Sequence, residues 1–135
     1  KLANREADEV TWLVASRGGL EQAADRRRSQ IFPLLAHPSR DGLLELIDAI
    51  SRAAGGPSAD VVWCRSLLER VGIEELDPPP LVTGEDLIAV GLRPGPLFKT
   101  LLDSVRDAQL DRDVSDRDEA LAWVHEIRGE HKSDE

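Results

Sequence analysis

Three prolines in a row, Pro78-Pro79-Pro80, restrict this chain more than any other feature in it. Proline has no amide proton and pushes the preceding residue out of helical geometry, so the run favours an extended polyproline conformation that no helix crosses. On both sides of it apolar residues recur at helical spacing. Aromatic residues make up 4% of the chain, tyrosine is missing and no run alternates with period two, so strand signals are nearly absent. The expectation is an all-α fold. A helical body covers 1–76, a linker 77–80, and a three-helix tail with a helix-hairpin-helix-like turn 81–128. The polar residues 129–135 are expected to be disordered.

Within the body, Asn4 is placed to cap a first helix with Ala7, Val10, Leu13 and Val14 on one face, ending near Gly18-Gly19. A second helical stretch is expected from Leu20 towards Leu35, interrupted or kinked at Pro33 and stopped by Pro38. Ser39 then caps a helix with Leu43, Leu44, Ile47 and Ile50 on its inner face, closed by Gly55-Gly56-Pro57. Ser58 starts another, carrying Val61, Val62, Leu67, Leu68 and Val71. In the tail, Thr83 and Asp86 stand at capping-box spacing, with Val82 and Leu87 as the hydrophobic staple. Gly91 ends that short helix. Pro96 suits the first position of the next, whose stripe is Leu97, Leu101, Leu102, Val105 and Ala108. Ser115 and Asp118 repeat the capping pattern for a last helix with Leu121, Val124 and Ile127.

No stretch approaches the roughly 20 consecutive apolar residues that span a bilayer, and no secretory signal is present. A cytoplasmic setting without membrane contact is expected. The chain opens on Lys1, has no methionine, and is expected to begin inside a longer protein. Its one cysteine, Cys64, sits in an apolar run and reads as a small buried hydrophobe. Trp12, Trp63 and Trp123 read as core anchors ahead of base-stacking platforms.

The net charge of −9 argues against a nucleic-acid partner until it is divided along the chain. Residues 1–57 carry 8 basic and 8 acidic side chains, and residues 58–135 carry 9 and 18, so the whole imbalance lies in the second part. Yet Leu87 to Leu102 holds no carboxylate, and its only charges are Arg93 and Lys99. A local positive window can hold a phosphate inside an acidic domain, although long-range steering is poor. The amides at the start of the Pro96 helix lie at the positive end of a macrodipole, and Gly95 lets a phosphate come close. Arg93 and Lys99 would flank it. Such a hairpin reads backbone, not bases. Gly91 and Gly95 serve a plain tight turn equally well, and on this chemistry alone the plain turn is slightly favoured.

The segment Leu81 to Leu102, with Ala108-Gln109-Leu110 and Glu119-Ala120-Leu121 downstream, resembles the tail of bacterial tRNA nucleotidyltransferases. These are the CCA-adding enzymes and their poly(A) polymerase relatives. The residues that carry the resemblance are Gly84, Asp86, Leu87, Gly91, Leu92, Pro94, Gly95, Pro96 and Leu102. Leu2 to Ile50 is more weakly similar to the helical body that precedes the tail, including Leu43-Leu44-Glu45-Leu46. The resemblance reverses the preference for a plain turn. It implies an RNA-binding region that positions a tRNA, or another RNA 3′ end, for nucleotide addition by a catalytic head upstream. The parent enzyme would use ATP or CTP and Mg²⁺. Arg93, Gly95, Lys99 and Gly84 become the expected RNA contacts, and Arg26, Arg27 and Arg28 join them as phosphate contacts if they are not merely a solvated face. Lys99 departs from the family, which often has glycine there.

No catalytic residues are expected in this chain. The family's head carries a Gly-Ser loop and a metal-binding Asp-x-Asp pair. Asp111-Arg112-Asp113 has the spacing but reads as a polar inter-helix turn. His37, His125 and His131 are too widely spaced for the metal phosphohydrolase site that some relatives carry, and no cofactor or metal is expected here. The alternative reading is a structural or dimerisation helical domain, a possible homodimer, with no nucleic-acid contact.

Overall fold

In a computed structural model, residues 2–133 are described, with side chains from Arg5 to Gly129. The fold is all-α, with eight helices and, among the described residues, no strand. The helices are α1 Leu2–Ser16, α2 Arg28–Ala36, α3 Arg40–Ala54, α4 Ala59–Arg70, α5 Ile73–Leu76, α6 Gly84–Ala89, α7 Pro96–Leu110 and α8 Arg117–Ser133. The chain divides into two compact units, one reaching Pro78 and the other starting at Pro79.

In the N-terminal unit α1 and α2 pack on α3, α5 packs on α2, and α3 packs on α4. Leu20, Ile31, Leu35, Leu43, Leu44, Val61 and Leu76 are among its buried side chains. The expected second helix from Leu20 is not formed as such. Two short 3₁₀ turns, Arg17–Leu20 and Ala23–Asp25, precede α2. Between them Gln22 takes a left-handed conformation, φ 53°, and donates its amide to an Asp60 carboxylate oxygen at 3.2 Å. A residue at positive φ cannot continue a right-handed helix, so the long-range bond to α4 overrides the local periodicity. Pro33 lies inside α2, which continues to Ala36. The proline removes one intrahelical bond, but burial of Ile31, Phe32 and Leu35 on the same short helix offsets it.

Other expectations shift by smaller amounts. α1 begins at Leu2, so Asn4 is inside the helix and not its cap. Ser39 is the residue before α3, but its side chain makes no cap bond; its amide donates to His37 Nδ1 at 3.0 Å. Ser58 does cap α4, accepting from the Val61 amide at 3.2 Å. The apolar faces differ more. Ala7, Val10, Val14, Ile50 and Val62 are exposed where the periodicity places them on buried faces.

The C-terminal unit packs α7 against α6 and α8. Its core gathers Val82, Leu87, Leu101, Val105, Ala108, Val114, Ala120 and Val124. Trp123 lies at the edge of this core and donates its indole N–H to Ser104 Oγ at 3.0 Å, tying α8 to α7. The cap of α8 is Asp116, which accepts from the Glu119 amide at 2.8 Å, one residue later than the Ser115 cap expected. α8 also continues past Gly129 to Ser133, where the polar composition suggests disorder; residues 134 and 135 lie outside the described residues. A helix needs no apolar residues in its last turns, only backbone geometry that nothing interrupts.

Candidate nucleic-acid interface

The hairpin is built by local chemistry at both ends. Thr83 caps α6: its amide donates to Asp86 Oδ2 at 2.9 Å, and its hydroxyl accepts from the Asp86 amide at 3.4 Å. This is a reciprocal capping box. Arg117, at the start of α8, donates to the other carboxylate oxygen of Asp86. These bonds hold the Asp86 carboxyl below its ordinary value, the Thr83 amide acting most strongly.

At the other end of α6, Gly91 has φ 95°. Its amide donates to Ile88 at 3.0 Å and that of Leu92 to Leu87 at 3.0 Å. That pair of bonds is a Schellman stop, which requires a left-handed residue, and Leu92 folds back on the core beside Leu87. Arg93 and Pro94 then lead to Gly95, an extended residue (φ 173°) that precedes α7 and offers no side-chain cap. Pro96 is the first residue of α7, and Phe98 donates to Gly95 O at 3.0 Å. Among the described residues no acceptor takes the amide of Leu97. A Cβ on Gly95 would meet only Arg93 O, at 4.0 Å, so the approach to this helix end is open. A Cβ on Gly84 would meet the Phe98 ring at 3.9 Å, which places the start of α6 beside the first turn of α7.

Arg93, Gly95, Lys99 and Gly84 therefore share one hairpin. Arg93 and Lys99 are both exposed. Lys99 lies 3.6 Å from Asp103, one helical turn on and just outside the carboxylate-free window. The pair is exposed, 86% at Lys99 and 66% at Asp103, so it is weak and leaves the ammonium accessible. Asp103 escapes the reading of the window because it follows Leu102, yet the i, i+4 spacing makes it legible. Arg117 is the less legible participant, since it comes from 31 residues away.

The arginine run Arg26-Arg27-Arg28 belongs to the other unit and is not a uniform basic face. Arg26 binds the backbone carbonyls of Glu21 at 2.7 Å and Gly18 at 3.4 Å, staples of its own loop. Arg28 lies over the Phe32 ring at 5.4 Å and 3.9 Å from Glu75. Arg27 is exposed before α2, and its amide donates to Gln30 Oε1. Trp12 stacks on His37 with ring centroids 3.7 Å apart, so that face of the indole is already occupied. Cys64 is buried, and burial, with the Asp60 charge adding to it, pushes its thiol up to about 11. His125 is exposed, and the side chain of His131 lies outside the described residues.

Asp111-Arg112-Asp113 is the C-terminal stop of α7. Arg112 is left-handed at φ 66°, its amide donates to Gln109 and that of Asp113 to Ala108, at 3.2 and 2.8 Å. Among the described residues no group of three or more His, Cys, Asp or Glu side chains is placed to hold a metal ion. No helix of these residues is long and apolar enough to cross a membrane.

Over 51 residues the chain is similar to a CC-adding tRNA nucleotidyltransferase of Synechocystis sp. strain PCC 6803. The two are 39% identical there, across 37% of this chain and 12% of that protein. The chain thus matches only a small part of that relative. No family profile matches the chain, and no solved structure does.

Proposed function

We propose that this chain is an RNA-holding region of a tRNA nucleotidyltransferase, with the hairpin Gly91 to Pro96 as its contact to the RNA backbone. The observation that carries the reading is the similarity to a CC-adding tRNA nucleotidyltransferase. The relative's name favours a tRNA 3′ end over poly(A) as the partner. The geometry supplies a mechanism: an open helix end at Gly95, the free Leu97 amide, and the exposed cations Arg93 and Lys99 at one turn. Phosphate contacts of this kind fix register without reading bases. They suit a region that positions one acceptor end among tRNAs of many sequences.

Nucleotide addition needs a nucleoside triphosphate and Mg²⁺ held by clustered carboxylates. Among the described residues no cluster of three or more His, Cys, Asp or Glu side chains fits that group. Asp111 and Asp113 flank a helix stop whose left-handed residue is Arg112. The chemical step is therefore assigned to a catalytic head elsewhere in the parent protein, and the role of this chain is to bind and orient.

The test is a salt titration of tRNA binding by the chain, with Arg93→Glu, Lys99→Glu and Asp103→Ala. The two charge reversals are expected to weaken binding about tenfold each, and Asp103→Ala to strengthen it by removing a negative charge from beside Lys99. Binding that is absent, or that ignores both reversals, overturns the reading.

A further inference from the structure

We propose that Arg117 is a positioning residue for the hairpin: through Asp86 it fixes the rotation of α6, and so where Arg93 stands relative to Lys99. The inference rests on the RNA-holding role proposed above, and it assigns Arg117 no contact with RNA. α6 has six residues, too few to hold itself as a helix in water. Leu87 is its buried side chain, and Ile88 beside it is 53% exposed. A short helix pinned by one buried side chain can still turn about that point.

Asp86 supplies a second restraint. It precedes Leu87, and adjacent residues stand about 100° apart around a helix, so the two hold different sides of α6. Both oxygens of its carboxylate are used. Oδ2 accepts from the Thr83 amide at 2.9 Å and from the Thr83 hydroxyl at 3.2 Å, which closes the cap locally. Oδ1 accepts from Arg117, 31 residues away, and this is the bond that leaves the segment. The pair differs from a plain surface contact, because Arg117 is 61% exposed but Asp86 only 20%.

Arg117 is in turn held by its own helix. It opens α8, whose Ala120 and Val124 lie in the core and whose Trp123 donates to Ser104 Oγ on α7 at 3.0 Å. The path thus runs from α7 through α8 and Arg117 to Asp86 and α6. At its far end the Gly91 stop, closed by bonds to Ile88 and Leu87, passes the setting of α6 on to Arg93 two residues later. Lys99 needs no such path, because it stands on α7 itself.

Amide hydrogen exchange of the chain tests the restraint without RNA. In Arg117→Ala the amides of Gly91 and Leu92 should exchange about tenfold faster, while that of Val105 in α7 stays within about twofold. Arg117→Lys, which keeps a charged donor, should return Gly91 and Leu92 to within about threefold of the parent. Binding of tRNA tests the consequence through a double-mutant cycle. Arg117→Ala should weaken binding about fivefold in the parent and in Lys99→Ala, but less than about twofold in Arg93→Ala, because it acts through Arg93. Unchanged exchange at Gly91 and Leu92, or a rise shared equally by Val105, overturns the proposal. So does an equal loss of binding in the two backgrounds, which makes Arg117 an RNA contact of its own. A parent chain that binds no tRNA overturns the RNA-holding role instead, and the exchange result still decides whether Arg117 sets the hairpin.

Discussion

Gly91 and Gly95 stand in one hairpin, yet replacing them by alanine should have opposite consequences. Gly91 is at φ 95°, where a Cβ strains the backbone whatever space is free, so Gly91→Ala should cost about 1 kcal/mol and lower the melting temperature. Gly95 is at φ 173°, extended backbone that any residue adopts, and its added Cβ meets only a carbonyl oxygen at 4.0 Å. Gly95→Ala should leave thermal unfolding within about 0.5 kcal/mol of the parent while weakening the proposed RNA binding, because a methyl group would stand where a phosphate would approach. Calorimetry and binding measured on the same two variants separate a fold defect from a contact defect. Acid should act at two further residues. The Asp86 carboxyl is held below 3.8, chiefly by the Thr83 amide, and Asp48 likewise by Arg52 and the Ser58 amide. A carboxyl depressed in the folded state contributes stability that is fully present above its unfolded value and lost as pH falls through the folded one. Unfolding should therefore become easier below about pH 4, less so in Asp86→Asn, followed by denaturant titration at each pH.

Among the elements, α7 carries an electrostatic conflict. Asp103, Asp107 and Asp111 follow one another at four-residue spacing, and the last stands at the negative end of the helix dipole. Asp107 shows the consequence: partial burial, then the charges of Asp111 and Asp103, push its carboxyl up. Asp107→Asn should raise the melting temperature modestly at pH 7, and the gain should vanish at pH 3, where the parent residue is already protonated. Neutrality relieves the strain on either path. α6 is the contrasting case. It has six residues and persists because both of its ends are fixed, by the Thr83–Asp86 box and by the Gly91 stop. Both devices were readable in the residue order, since each closes within four or five positions. The capping of α8 by Asp116 shows the limit of such reading: Ser115 and Asp116 are both good caps, and the choice between adjacent residues depends on where the preceding loop delivers the chain.

For the whole molecule, the number of cations in the hairpin sets how the proposed RNA binding should respond to salt. Were RNA held as proposed, by phosphate contacts at Arg93 and Lys99, the slope of log affinity against log salt would be roughly −1.5 to −2, shallow for a nucleic-acid-binding protein. A much steeper slope would mean that Arg27 or other cations also reach the RNA. The residue order determined the helical class, the helix ends at Ser58, Thr83, Gly91 and Pro96, and the hairpin that brings Arg93, Gly95 and Lys99 to one turn. All of these rest on interactions that span a few residues, and the types present at each position decide them. Only the tertiary structure decided which apolar faces are covered, leaving Val10, Val14 and Ile50 exposed while Leu43 and Leu44 are sealed. It also committed Arg26 to its own loop, stacked Trp12 on His37, bent the chain at Gln22 towards Asp60 and brought Arg117 to Asp86. Periodicity tells which residues share a face; whether another element arrives to cover that face depends on the path of the chain far away in sequence.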